Sequence, residues 1–242
     1  MQIQISNFTG RLQGKVDPVE WDSPLKPNLV LFGNLPFNVA SPFLIKLLRT
    51  MSNQSNLYSF GRMPSILTFQ HEVALRMVAP PGDFNRCRLS VVVQNWTNPE
   101  YMYTLPGGAF VPPPEVDVGV VRLTPLRQPF IPLPFEVVDS VVNALFVSGK
   151  NRFVRNTLPK LFLSQGVDLA KARGLALQLL ERCDLSPTTN AVQLTLEDIR
   201  SLCFGYQHMR ETNAAFNSMV HHSAWTEDEA VLLNDQPNIL LE

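Results

Sequence analysis

Residues 28–51 read NLVLFGNLPFNVASPFLIKLLRTM. The run 28–33, NLVLFG, is short, continuous, apolar and closed by glycine, the pattern of a strand buried in a parallel sheet. Ser41-Pro42 predicts a helix start, because serine can cap and proline is tolerated at the first helical position. Phe43, Leu44, Leu47, Leu48 and Met51 follow at helical spacing. Further along, SILTF (65–69) predicts a second strand and HEVALRMV (71–78) a second helix. Strand, helix, strand, helix is the signature of an α/β layer fold.

The pattern then changes. RLSVVVQNW (88–96), YMYTL (101–105) and VDVGVVRL (116–123) read as strands with no long helix between them, which calls for antiparallel or mixed pairing at a sheet edge. Gly107-Gly108 and Pro112-Pro113-Pro114 mark a stiff, extended loop before the last of these. From about residue 135 the chain turns helical. Phe135, Val138, Val141, Val142, Leu145 and Phe146 form one apolar face. Further helices are predicted over 152–163 and 168–182, and Thr195 with Asp198 resembles a capping box that opens a fourth. The expected organisation is an α/β portion over 1–127, a small all-helical domain over 128–210, and a tail over 211–242. The last 20 residues carry five acidic and no basic side chains, and the tail is expected to be mobile.

Composition limits the function classes. Of 242 residues, 45% are hydrophobic and 17% charged, enough apolar material for a core. A net charge of -1 announces no global basic field, so any nucleic-acid surface must be local. Cys87, Cys183 and Cys203 lie far apart, which argues for a reducing compartment and against a disulfide framework or zinc site. His71, His208, His221 and His222 lack metal-ligand spacing, so no metal is expected. No apolar run is long enough to span a membrane.

Asn34-Leu35-Pro36-Phe37 follows the first strand, and ligands of open α/β sheets bind beyond the carboxyl ends of strands. Such a tetrapeptide suits a flipped adenine. The asparagine and a backbone carbonyl orient the exocyclic amine, proline stiffens the carbonyl, and the ring stacks on the base. Stacking contributes roughly 1–3 kcal/mol per base. The plainer reading is a strand end, a turn and a helix cap, with Phe37 in the core.

Four ordered blocks carry a resemblance: LFGNLPFNVASPFLIKLL (31–48), LTFQHEVALRMVAPPG (67–82), RLSVVVQ (88–94) and GGAFVPPPEVDVGVVRLTP (107–125). Together they are similar, in order and spacing, to rRNA adenine dimethyltransferases, the family of the bacterial KsgA-type enzyme and the mitochondrial transcription factor B relatives. Phe37 and the Asp-Val-Gly-Val run resemble the mitochondrial branch more closely. The resemblance implies part of a Rossmann-like class I methyltransferase sheet, followed by the helical domain. It implies an enzyme that uses S-adenosylmethionine to dimethylate two adjacent adenines in a small-subunit rRNA hairpin. Mitochondrial localisation and the mitochondrial small ribosomal subunit as partner follow from the same source. Asn34 would lie near the methyl donor and hold the amine with the Leu35 or Pro36 backbone. Phe37 would stack on the adenine, and Phe110 would be a second aromatic wall. Catalysis would be by positioning, with no special general base. Gln70 and Glu72 match a family block, although Glu72 equally suits a helix start.

Residues 145–182 carry seven basic side chains against two acidic ones, a local charge of +5. Lys150, Arg152 and Arg155 lie where the family carries a basic cluster suited to RNA phosphates. A solvated helix face is the other reading. Gly61-Arg62 is a further candidate phosphate contact.

One departure from the family stands out. Members begin with a Gly-rich loop that lets backbone N–H groups approach the cofactor. This chain has no two glycines at i and i+2. Its first clear strand corresponds to the family's fourth. QIQIS (2–6) would be the tail of the third, with Asn7 in place of an aspartate that contacts the cofactor adenine. An N-terminally truncated sheet with an unpaired apolar edge is therefore expected, and with it poor stability in isolation. Three accounts stay open: a shortened form of an active methyltransferase, a non-catalytic RNA-binding protein acting in ribosome assembly or transcription, or a chain whose sheet a partner completes. DNA adenine methylation shares the Asn-Pro-aromatic chemistry, but the proline-rich loop and helical domain favour the rRNA family.

Overall fold

The computed structural model describes residues 12–148 and 152–212. Asn7, the QIQIS segment, Lys150 and the tail beyond Thr212 lie outside the described residues. These form two compact units. The first takes the described residues up to Val78 together with Trp96–Gln128; the second takes Ala79–Asn95 and those from Pro129 onward. Ala79–Asn95 thus groups with the helical residues.

The first unit is a four-stranded sheet in the order β1-β2-β4-β3, with β1 at Leu31–Gly33, β2 at Ser65–Gln70, β3 at Thr97–Leu105 and β4 at Val118–Pro125. β1 pairs with β2 in parallel, and β4 pairs antiparallel with both β2 and β3. The mixed pairing expected after residue 88 is present. The first strand is shorter than expected. The Leu29 N–H bonds to the Pro27 carbonyl at 2.7 Å, which turns the chain before the ladder begins at the Leu31 N–H to Pro64 carbonyl bond of 3.0 Å. β1 ends the sheet among the described residues, and its Phe32 is 69% exposed. Leu44, Leu48, Leu67, Phe69, Val121 and Leu123 are among its buried side chains.

Helix α1, Phe37–Ser52, begins one turn earlier than Ser41-Pro42 predicts. Pro36 is its N-cap at φ -54°, and the Pro36 carbonyl accepts from the N–H groups of Val39 and Ala40 at 3.0 and 3.1 Å. Ser41 is thus buried inside the helix rather than capping it, and Pro42 stands in the helix interior. Proline there removes one i→i−4 bond, which the preceding rigid cap and the buried face of Leu44, Leu47 and Leu48 offset. Helix α2, His71–Val78, follows β2 directly.

The largest correction concerns RLSVVVQNW. Residues Arg88–Trp96 form helix α3, not a strand. Three consecutive valines favour a strand locally, but Leu89, Val92, Val93 and Trp96 fall at i, i+3, i+4 and i+7, and all are buried. The Ser90 hydroxyl accepts the Cys87 N–H at 3.0 Å, as a side chain in a first helical turn does.

In the second unit α4 spans Phe135–Phe146, α5 Val154–Thr157, α6 Pro159–Leu163, α7 Leu169–Arg182 and α8 Leu196–Thr212. The single helix expected over 152–163 is broken at Pro159, which has no N–H to continue α5. Asp168 caps α7 by accepting the Lys171 N–H at 3.0 Å. The expected capping box is present. The Thr195 hydroxyl accepts the Asp198 N–H at 3.1 Å, and Asp198 accepts the Thr195 N–H at 2.8 Å. Helix α8 runs to Thr212, the last described residue.

Two arginines organise this unit from inside. Arg86 is fully buried and donates to the Ala79 carbonyl at 3.0 Å, Gln94 Oε1 at 3.2 Å and the Leu194 carbonyl at 3.3 Å. Burial lowers its pKa, opposed by neighbouring Cys87. Arg88 on α3 holds Asp139 on α4 at 2.9 and 3.0 Å and donates to Asn143 Oδ1 at 2.8 Å.

Helices α7 and α8 approach closely at Gly205, where an added Cβ would lie 2.7 Å from Leu179 Cδ1 and 3.3 Å from Cys183 Sγ. Burial raises the neighbouring Cys203 thiol well above the usual thiol range, reinforced by Cys183. The folded thiol therefore stays protonated where the unfolded one, with pKa about 8.5, ionises. Stability from this group is intact below that unfolded pKa and falls as pH rises, by up to about 1.4 kcal/mol per pH unit. Urea midpoints between pH 7 and 10 should drop more steeply for the natural chain than for Cys203→Ala. Equal slopes would show that the thiol titrates alike in both states.

Candidate functional site

The chain leaves β1 at Gly33, where an added Cβ would lie 2.9 Å from Leu67 Cδ2. Gly33 pairs with Leu67, so the next residues, Asn34 just past the carboxyl end of β1 and Thr68 within the parallel β2, lie side by side. The buried Thr68 hydroxyl donates to Asn34 Oδ1 at 2.6 Å. That bond fixes the rotation of an exposed carboxamide. It leaves one lone pair of Oδ1 and both amide N–H groups for a ligand. Nothing in the local sequence singles out Thr68, since its partner is 34 residues away and only strand register brings them together.

Leu35 and Pro36 were open alternatives for the backbone acceptor. The Pro36 carbonyl already accepts two helical N–H groups, so its lone pairs are taken. Phe37, the first residue of α1, is half-buried, so it is not a wholly core side chain.

The loop that carries Phe110 springs from the same end of the sheet. β2 and β3 both run antiparallel to β4, so their carboxyl ends, Gln70 and Leu105, meet the same residue, Val118. Past Leu105 comes a 3-10 turn, Gly107–Ala109, and then Phe110, which is half-buried. Both ends of this loop are tied. Asp117 Oδ1 accepts the Gly107 N–H at 3.0 Å, and the Asp117 carbonyl accepts the His71 N–H at 2.9 Å. Gly107 is required there, because an added Cβ would lie 2.9 Å from the Pro114 carbonyl oxygen. The loop contains a cis Val111–Pro112 bond. Beside it, His71 Nδ1 and the Tyr101 hydroxyl are 2.9 Å apart, and Tyr101 shares a 2.7 Å hydrogen bond with Thr104.

The remaining sequence candidates separate. Gln70 is half-buried at the end of β2. Glu72 sits in the first turn of α2 and pairs with Arg76 one turn on, the arrangement of a helix start. Arg62 is no exposed phosphate contact. It is buried and donates from Nε to the Trp21 carbonyl at 2.7 Å and from Nη2 to the Ser23 carbonyl at 2.6 Å. Burial, then Arg127, lowers its pKa. Gly61 has φ +113°, and a Cβ there would meet the Val19 carbonyl oxygen at 2.6 Å. The pair therefore serves the fold of residues 19–27. Arg152 and Arg155, in the helical unit, are exposed, and the Arg155 guanidinium lies 5.2 Å from the centre of the Phe153 ring.

A strand-end asparagine held by a neighbouring strand, a proline cap and a tethered aromatic loop sit on a mixed sheet. With that arrangement, residues 14–192 match the ribosomal RNA adenine dimethylase family, and the chain belongs to it. It is 42% identical over 183 residues to the human protein named dimethyladenosine transferase 1, mitochondrial, covering 76% of this chain and 51% of that one. The correspondingly named Xenopus tropicalis and Caenorhabditis elegans proteins are 38% and 34% identical, over 80% and 85% of this chain and 54% of each relative. The chain thus spans about half the length of the curated relatives it matches. Its fold is that of a dimethyladenosine transferase crystal structure from Plasmodium falciparum, with a TM-score of 0.61 at 23% identity over 74% of this chain and 66% of that one. This agrees with the α/β class I methyltransferase fold expected from the sequence.

Proposed function

We propose that this chain serves S-adenosylmethionine-dependent dimethylation of adjacent adenines in small-subunit rRNA, in the mitochondrion. Family membership and the mitochondrial dimethyladenosine transferase names of its relatives support the reading. The observation that carries it is the Thr68 to Asn34 hydrogen bond, which aims a carboxamide past the end of β1.

In this reading the adenine amine donates to the remaining lone pair of Asn34 Oδ1 and to the Leu35 carbonyl. Those bonds draw the amine lone pair out of conjugation with the ring and hold it in one direction. Phe37 stacks on one face of the flipped base, and Phe110 closes the other. The loop anchored by Asp117 holds Phe110 in place. S-adenosylmethionine supplies an electrophilic methyl group on a sulfonium. Among the described residues Asn34 fits as its neighbour, with two amide N–H groups to offer; Asn7 is the second candidate. Lys150, Arg152 and Arg155 contact phosphates of the rRNA hairpin, and the mitochondrial small ribosomal subunit is the partner that presents it.

The test is transfer of labelled methyl from S-adenosylmethionine to a small-subunit rRNA hairpin, with dimethyladenine identified by mass spectrometry. Phe37→Ala should lower kcat/KM about 10- to 100-fold, corresponding to the roughly 1–3 kcal/mol of a stacking contact, while Phe37→Tyr stays near the natural value. Methyl transfer to another base or atom would refute the reading. The exposed Arg152 and Arg155 of the helical unit would serve equally in a second reading, a non-catalytic RNA-binding factor in ribosome assembly or transcription. Hairpin binding without methyl transfer would select it.

A further inference from the structure

A surface cleft of about 440 Å³ lies within the helical unit. Arg155 of α5 with Lys160 and Leu163 of α6 line one wall, and Leu169, Arg173 and Leu177 of α7 line the other. The three leucines are 39%, 49% and 50% exposed. Helix α7 buries Ala172, Ala176, Leu179 and Leu180 along another face, so its share of the core is complete without Leu169 and Leu177. One exposed leucine is ordinary; three on the facing walls of one cleft make an apolar surface. Among the described residues no lining side chain is acidic, and no carboxylate pairs with Arg155, Lys160 or Arg173.

Spacing and chemistry select the occupant. Leu169, Arg173 and Leu177 recur at every fourth residue, a straight stripe of roughly 12 Å at a rise of about 1.5 Å per residue. A small anion would reach one cation and leave the leucines in water. A nucleic-acid backbone would match the cations, but bases stack on aromatic rings, and none of the described residues lining the cleft is aromatic. A helix covers such a stripe with side chains at i, i+3, i+4 and i+7, and it places carboxylates on both flanks of that stripe.

We propose that the cleft between α6 and α7 docks an acidic amphipathic helix of a protein partner. The apolar stripe of that helix covers Leu163, Leu169 and Leu177, and its flanking aspartates or glutamates pair with Arg155, Lys160 and Arg173. Charge complementarity sets the sign and register of the partner, and the leucines supply the apolar contact. The inference goes beyond the methylation reading and does not depend on it. The two share only Arg155, so a docked helix competes with rRNA phosphates for that one side chain.

The test uses the full chain and a fluorescent synthetic helical peptide of glutamates and leucines, with the leucines at i, i+3, i+4 and i+7. Anisotropy should show saturable binding, and a peptide of the same composition with its leucines scattered round the helix should bind about tenfold more weakly. Arg173→Glu and Leu177→Asp, both at exposed positions, should each weaken the probe about tenfold or more. Denaturant midpoints and affinity for the rRNA hairpin should stay as in the natural chain. Absent saturable binding would overturn the proposal, as would equal binding of the scattered peptide, which would reduce the effect to charge alone. A probe that ignores either substitution would place it elsewhere on the surface and overturn the proposal too. Hairpin affinity that falls in both variants as steeply as probe affinity would make the cleft an RNA surface instead.

Discussion

Asn34→Ala should lower kcat/KM for methyl transfer by about 10²–10³-fold, the loss typical of removing one positioned hydrogen-bonding group from a reacting centre. The reason is geometric. The Asn34 carboxamide is the side chain that the neighbouring strand holds at the end of β1, with Thr68 as its anchor at 2.6 Å. In the proposed reading, removing it leaves the amine with the Leu35 carbonyl alone, free to rotate away from the line of transfer. Affinity for the hairpin should change little, because in the proposed reading phosphate contacts by the helical unit supply most of it. Stability should fall by no more than about 1–3 kcal/mol, since Asn34 is exposed and only the buried Thr68 hydroxyl loses its acceptor. Thr68→Val should produce a smaller loss of about tenfold, and Thr68→Ser should restore activity, because the hydroxyl acts only by orienting its neighbour. Single-turnover rates with saturating RNA separate these effects. An Asn34→Ala chain with an unchanged single-turnover rate would remove the residue from the site.

Asp139→Ala should cost about 3–5 kcal/mol of stability, the penalty for leaving a buried charge without its partner. Arg88 and Asp139 are both buried within the helical unit, with two oxygens at 2.9 and 3.0 Å from one guanidinium nitrogen. Once the carboxylate is gone, the guanidinium loses both of these bonds and keeps the one to Asn143. The loss belongs to the broken pair and not to the pair's net contribution. Replacing both members by apolar residues of similar volume, Arg88→Met with Asp139→Leu, should recover most of it. Denaturant midpoints for the single and double variants decide the matter. A double variant as unstable as the single one would show that the pair contributes net stability in its own right.

Much of the molecule is legible in one dimension where a local rule carries the information. The apolar run before Asn34 marks a strand end, the period of 71–78 and 135–146 marks helices, and Thr195 with Asp198 marks a helix start. Each rests on residues within a turn or two of one another. Failures come where two local rules compete. In 88–96 the β preference of three valines competes with the helical spacing of Leu89, Val92, Val93 and Trp96, and burial of both settings decides for the helix. At 36–42 two prolines compete to start one helix. The first wins because its carbonyl takes both early N–H groups.

Sequence by itself determined the strand–helix–strand–helix order of 31–78 and the place of Asn34 at a strand end, because spacing within short windows encodes both; the family showed as a resemblance of four ordered blocks over 31–125. Tertiary structure alone decided that Thr68 holds Asn34 and that Asp117 ties down the loop bearing Phe110. It also decided that Arg62 turns inward and that the cations of α6 and α7 share one cleft with three leucines. Those facts depend on strand register and helix packing between residues far apart in the chain. No local pattern can express a hydrogen bond whose partner is chosen by the fold.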